Sequence, residues 1–206
     1  MPRPSSLVRF LLRFAVIYAL LLAPWPGRDD AYGDFYRDAM RELLGVRDPG
    51  RSVRFRKLDS RETAADPIWK ADTGIVIRIQ PQGGAAPVLY PQVRSSFYTG
   101  YAPTALLLAL ILATPMTRSR RAVALVIGAV LVHAFVVAMA ALPIHSFFYA
   151  QQHAASATGW FVSARLWLNR SLVESGTWMG PYYLGPVFIW LLAVLRRDAW
   201  PLGARG

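Results

Sequence analysis

The chain has 206 residues, of which 54% are hydrophobic, and its 23 basic and 12 acidic residues give a net charge of +11. Soluble globular domains are about 45–50% apolar, and here the excess lies in a few long runs, so the composition indicates an integral membrane protein. The lack of cysteine excludes disulfides, thiolate metal sites and a cysteine nucleophile. Many arginines flank the apolar runs, so contact with membrane lipids explains the positive charge, and we predict no nucleic-acid partner.

The first apolar run covers residues 7–25 and carries Arg9 and Arg13 near its beginning. It has the basic start and apolar middle of a signal peptide, but the sequence LLAP at 21–24 lacks the small-x-small pattern of a cleavage site. We therefore predict an uncleaved signal anchor over residues 1–25, with Trp25 at the outer membrane interface.

Residues 26–97 form the only sizeable polar region, and their basic and acidic residues nearly balance. Several aspartates precede a helical pattern that ends at Gly45, as the helix dipole favours. A basic strand is predicted over 53–58, and the alternation of isoleucines at 75–79 predicts a half-buried strand. A turn at 81–84 and the run 87–93 predict its returning partner. These elements together predict a small extracytoplasmic α+β domain.

Residues 98–142 contain two apolar runs, 102–113 and 122–142, joined by a turn that holds Arg118, Arg120 and Arg121. The second run has 21 residues without a charge. As a helix it would rise about 31 Å, enough to cross a hydrocarbon core of about 30 Å. Cytoplasmic loops concentrate arginine, so we place this turn inside. Ala124 and Gly128 lie four residues apart, which indicates either close helix packing or merely that alanine is common in apolar helices.

Residues 143–178 are strongly aromatic and carry few charges, which predicts an outer loop with a helix lying in the membrane interface. Residues 179–206 hold a last apolar run, which Gly185 and Pro186 are expected to bend and Arg196 and Arg197 to stop inside. The predicted fold class is therefore a membrane protein with a four-helix transmembrane bundle and a small extracytoplasmic α+β domain. We expect a multi-pass protein of the bacterial inner membrane with both termini cytoplasmic.

The three histidines are the first candidates for chemistry. His133 lies near the middle of a predicted span, where an ionisable residue indicates function, and a histidine bonded to a neighbouring helix is the structural alternative. His145 and His153 lie in the predicted outer loop without the spacing of a metal-binding motif. No Gly-x-Ser-x-Gly sequence occurs. We therefore predict no catalytic residues, no metal and no cofactor.

Arginine and aromatic side chains of the predicted outer face form the candidate partner-binding site. Arginine binds carboxylate or phosphate through paired hydrogen bonds. Tyrosine and tryptophan suit both protein contacts and membrane interfaces, so an aromatic belt is the alternative interpretation. The candidate residues are Arg94, Tyr98, Tyr101, Arg165, Trp167, Arg170 and Glu174.

Residues 98–121, with YAPTA at 101–105 and ALILATP at 109–115, resemble small membrane proteins associated with bacterial exosortase systems. FLLRF at 10–14 and the pair Tyr182 and Tyr183 before Pro186 and Trp190 fit the same resemblance. Exosortases resemble membrane transpeptidases that cut a C-terminal sorting tag with a cysteine, so this cysteine-free chain is not that catalyst. The resemblance implies an accessory protein of envelope sorting, which binds an exosortase or its tagged substrate at the outer membrane interface. It assigns no residue roles.

Two other functions stay open at this point. One is a membrane enzyme acting on a lipid or lipid-linked substrate, with His133, His145 or His153 assisted by Arg165 or Glu174. The other is a transporter subunit, which would need oligomerisation because no predicted span contains an acid. The sequence leaves the oligomeric state open.

Overall fold

The structure is a computed structural model that describes residues 6–48, 50–59, 71–80, 86–153, 167 and 180–194. These ranges contain five α-helices and a four-stranded sheet. The helices are α1 (Ser6–Leu22), α2 (Arg28–Leu44), α3 (Ala102–Ala113), α4 (Arg118–His153) and α5 (Gly180–Val194). The strands are β1 (Arg47–Asp48), β2 (Arg51–Lys57), β3 (Thr73–Ile79) and β4 (Val88–Arg94). A π-helical turn, Phe97–Tyr101, leads directly into α3.

The sheet is antiparallel throughout and its strands lie in chain order. Side chains alternate between its two faces, because successive residues of a strand point in opposite directions. Val53 and Phe55 of β2 are buried with Ile75 and Ile77 of β3, whereas Arg54 lies exposed on the other face. The helix and the strands predicted within residues 26–97 are confirmed.

The core of this α+β domain is completed by the C-terminal half of α4. Val136, Ala140 and Ile144 of α4 join the buried residues of α2, β2 and β3 in one hydrophobic cluster. Tyr90 of β4 also stacks on Phe147 of α4, with 4.6 Å between the ring centroids. The domain is therefore built around the helix that follows it in sequence.

The N-terminal half of α4 belongs to a second cluster, which it forms with α3 and α5. Helix α3 lies in the middle of this apolar layer and contacts α1, α4 and α5. A Cβ placed on Gly128 would lie 2.9 Å from Ile111 Cδ1 of α3, and Ala124 is buried in the same cluster. The spacing of Ala124 and Gly128 therefore reflects close helix packing.

The predicted four-helix transmembrane bundle is wrong. Within the described ranges, one helix is long and apolar enough to cross a membrane, over Arg118–Tyr149 of α4. The continuous helix formed by the π-helical turn and α3, Phe97–Ala113, has 17 residues and α5 has 15. They rise about 25 Å and 22 Å, less than a hydrocarbon core of about 30 Å. Helix α1 has 17 residues and includes Arg9 and Arg13. The prediction counted every apolar run as a span, but the helices that form in the first, second and last runs are short for a crossing.

Helix α4 also continues where the sequence predicts an outer loop. It runs through Pro143, which lies inside the helix, and ends at His153. Packing of the flanking turns on the sheet stabilises the helix there, although proline lacks the N–H that a helix interior uses. The remainder of the predicted aromatic loop lies outside the described residues apart from Trp167, which is exposed.

Candidate anion-binding cleft

A cleft of about 720 Å³ opens between the C-terminal end of α2 and the edge of the sheet formed by β1 and β2. Its walls carry four arginines and a single acid, Asp48, so its charge is strongly positive. The lining residues are Arg41, Gly45, Asp48, Gly50, Arg51, Ser52, Val53, Arg54, Phe55, Arg78 and Gln80.

The register of β2 and β3 places two of these arginines on one face of the sheet. Ser52 pairs with Arg78 and Arg54 pairs with Val76, so Arg54 and Arg78 are diagonal neighbours on the outer face. Long side chains at such positions reach one another. Both residues are exposed, and no carboxylate of the described chain forms an ion pair with either guanidinium. The two charges are therefore open to an external anion.

The other two arginines are held in place by their neighbours. Arg41 Nη1 lies 2.8 Å from Asp38 Oδ1, one helical turn earlier in α2, and both side chains are well exposed. The Arg51 guanidinium lies 5.5 Å from the centroid of the Phe148 ring, a cation–π contact. Because Phe148 belongs to α4, the end of that helix supports the cleft.

The predicted site residue Tyr101 lies away from the cleft, in the π-helical turn Phe97–Tyr101 (below, the π-turn), where it helps to cap α1. Its hydroxyl donates to the Leu21 carbonyl at 2.6 Å. The Arg28 guanidinium lies 5.2 Å from its ring and donates to the carbonyls of Leu22 and Ala23 at 2.7 and 2.9 Å. Carbonyls at a helix C-terminus lack partners within the helix, so Tyr101 and Arg28 satisfy the end of α1.

The π-turn is close-packed against α2. The rings of Tyr101 and Tyr32 meet edge to face, with 5.3 Å between centroids, and burial raises the pKa of Tyr32 to about 12. A Cβ on Gly100 would lie 2.7 Å from the Tyr32 hydroxyl, so only glycine fits there. The predicted site residue Tyr98 lies in the same turn, edge to face with Phe97.

A polar cluster centred on Asp72 ties the sheet to α2 and to the π-turn. The Asp72 carboxylate accepts hydrogen bonds from the Ser96 backbone N–H, at 2.7 Å, and from the Ser96 hydroxyl. Arg37 of α2, which is 4% exposed, lies 3.4 Å from the same carboxylate. The predicted site residue Arg94 ends β4 beside this cluster, and its carbonyl accepts from the Asp72 N–H at 3.1 Å. The cluster fixes the junction between the sheet and α3.

His133 is part of the packing between α4 and α2. Its Nδ1 lies 2.7 Å from the Ala129 carbonyl of its own helix, rather than bonding to a neighbouring helix. Its ring meets Phe35 of α2 edge to face, with 5.7 Å between the ring centroids.

His145 is exposed on α4. In the part of the chain that the structure describes, no three His, Asp or Glu side chains gather where they could hold a metal ion.

None of the predicted partner-binding residues that the structure describes lines the cleft. Arg94, Tyr98 and Tyr101 lie near the junction of β4 and α3, while Arg165, Arg170 and Glu174 lie outside the described residues. The four cleft arginines were not among the residues predicted from the sequence. The arginines at alternate positions of β2 were the available signal, but only the pairing of β2 with β3 brings Arg78 to the same face.

No protein-family model matches the chain, and comparisons with curated proteins and with solved structures find no significant match. The relation to exosortase-associated proteins therefore stays a prediction from sequence resemblance.

Proposed function

We propose that this protein is a membrane-anchored, non-catalytic accessory protein whose α+β domain binds an anionic group of a partner in the arginine cleft. The observation that carries the proposal is the pair Arg54 and Arg78, two neighbouring guanidinium groups without a carboxylate partner among the described residues. Arginine pairs of this kind bind carboxylate or phosphate groups by charge-assisted hydrogen bonds.

Helix α4 supplies the proposed anchor. Val126 and Val130 in its N-terminal half are 66% and 65% exposed, which suits contact with lipid. The arginine turn at the beginning of α4 favours a cytoplasmic position for that end. The opposite end packs into the domain, so the cleft would lie on the outer side of the membrane. In this orientation the chain also returns to the arginine turn through the apolar helix Phe97–Ala113, which packs on α4 and would require a locally thinned bilayer because of its length. An inner-membrane location, and the exosortase system as the source of the partner, are part of the same proposal and rest on the sequence alone.

Cysteine labelling tests this orientation, because the natural chain has no cysteine. Ser119→Cys lies in the arginine turn and Glu42→Cys near the end of α2, and both positions are exposed. In spheroplasts of a bacterial host, a membrane-impermeant maleimide is expected to label the Glu42→Cys variant. The Ser119→Cys variant is expected to react only after lysis. The unsubstituted protein is the blank, and equal labelling of both variants in intact spheroplasts would contradict the orientation.

Charge reversal tests the binding site. The double substitution Arg54→Glu and Arg78→Glu is expected to reduce partner recovery about tenfold or more in crosslinking from membranes, because it replaces attraction with repulsion. The double substitution Arg54→Lys and Arg78→Lys is the matched control, since it changes the same two positions and keeps both positive charges. Recovery should stay near the wild-type level in this control. Equal recovery by the double variant and the wild type would contradict the proposal, and mass spectrometry of the recovered partner tests the exosortase assignment.

A further inference from the structure

The edge of β2 is only partly covered by β1. Val53 N–H donates to the Val46 carbonyl at 3.0 Å, so the odd-numbered residues of β2 direct their backbone groups toward this edge. Strand β1 pairs only with Arg51 and Ser52. The N–H groups of Phe55 and Lys57 therefore face the edge beyond β1, and neither has a hydrogen-bond acceptor among the described residues.

This open edge coincides with the arginine cleft. Val53 and Phe55 line the cleft, and Phe55 is only 4% exposed, so its N–H lies within the fold rather than in bulk solvent. Buried backbone N–H groups are nearly always paired in native proteins, and the described part of the chain supplies no acceptor for this one. A backbone carbonyl entering the cleft would satisfy it.

The side chains around this edge select for negative charge. Arg54 and Arg78 lie on the outer face, and Arg41 lies at the α2 side of the cleft. Asp48 is the single acid among the lining residues. In a strand added beside β2, every second side chain would stand on the same face as Arg54. Acids at alternate positions of such a strand would therefore stand beside Arg54, and Arg78 lies on the same face one strand further into the sheet.

We infer that the cleft receives an extended acidic segment of a partner protein, which adds as a strand to the edge of β2 beyond β1 and places alternate carboxylates on the face that carries Arg54 and Arg78. This inference rests on the function proposed above and names its ligand class. Strand addition of this kind takes affinity from main-chain hydrogen bonds and specificity from alternate side chains.

Peptide binding to the full-length protein in phosphatidylcholine nanodiscs tests the inference. The probes are a short peptide of alternating glutamate and threonine, and the same peptide methylated at alternate backbone nitrogens. Methylation leaves the charge unchanged and removes the N–H groups needed for pairing. We expect the methylated peptide to bind about tenfold or more weakly. We also expect the unmodified peptide to slow amide hydrogen exchange at Phe55 and Lys57, with little change at Arg54 and Arg56, which already bond to β3.

Three outcomes would overturn the inference. Equal binding of both peptides without protection at Phe55 would reduce the cleft to a simple ionic site and would leave the proposed function standing. Full competition by equimolar inorganic phosphate, or arginine-dependent binding to phosphatidylglycerol vesicles without binding of the peptide, would assign the cleft to a phosphate group instead. Unchanged peptide binding by the double variant Arg54→Glu and Arg78→Glu would contradict both the inference and the proposed function.

Discussion

Replacing Asp72 with alanine is expected to lower the free energy of unfolding by about 3 kcal/mol. The Asp72 carboxylate accepts two hydrogen bonds from Ser96 and faces the buried guanidinium of Arg37. The substitution would leave Arg37 with Asp34 as its remaining carboxylate partner among the described residues. It would also remove the acceptor of the Ser96 N–H, which lies at the beginning of the helix formed by the π-turn and α3. Denaturant unfolding in detergent, followed by circular dichroism, measures the change.

Two further variants separate the parts of this effect. Asp72→Asn keeps an oxygen for Ser96 and loses the charge that faces Arg37, so its effect should lie between wild type and Asp72→Ala. Asp38→Ala removes an ion pair in which both side chains are exposed, and such pairs contribute about 0–1 kcal/mol. A loss for Asp72→Ala no larger than that for Asp38→Ala would mean that the cluster does not hold the sheet to α2 and α3.

Replacing Gly185 with alanine is expected to destabilise the contact between α4 and α5. A Cβ at Gly185 would lie 2.5, 2.6 and 2.9 Å from three atoms of the Phe135 ring, which is rigid and cannot yield as a flexible side-chain end would. Overpacking of this kind costs about 1–3 kcal/mol. The better helix propensity of alanine offsets about 0.5–1 kcal/mol of that loss. Thermal unfolding in the same detergent should therefore give a lower midpoint than wild type.

The chain offers both a control and a rescue for this substitution. Gly180 begins the same helix and has no atom within 4 Å of its ideal Cβ, so Gly180→Ala should have little effect. Phe135→Leu removes ring atoms from the position of the clash and should restore part of the lost stability to Gly185→Ala. If Gly185→Ala unfolds at the wild-type midpoint, the close approach of α4 and α5 at this point is wrong.

The elements of the α+β domain were predictable because local patterns determine them. The alternation of isoleucines in β3 and the aspartates ahead of α2 need no tertiary knowledge. The helix-packing interpretation of Ala124 and Gly128 likewise depended only on residue size and spacing, and contacts with α3 confirm it.

The predictions that were wrong, and the cleft that was not predicted, concern properties that depend on tertiary structure. The length of an apolar run does not fix the length of its helix: Thr114 begins a non-helical link that ends α3, whereas α4 extends well beyond its run at 122–142. Conversely, Pro143 indicated a boundary, but packing on the sheet keeps α4 helical around it. The cleft could not be predicted, because Arg54 and Arg78 are distant in sequence and only strand register makes them neighbours.

The sharing of α4 between two hydrophobic clusters has a practical consequence for work with truncated forms. A fragment that stops at residue 97 would lack Val136, Ala140 and Ile144, and would expose Ile75 and Ile77 to solvent. Such a fragment is expected to aggregate when it is expressed alone. A water-soluble version would instead need the C-terminal half of α4 grafted onto the fragment through a linker, with the exposed valines of the N-terminal half left out.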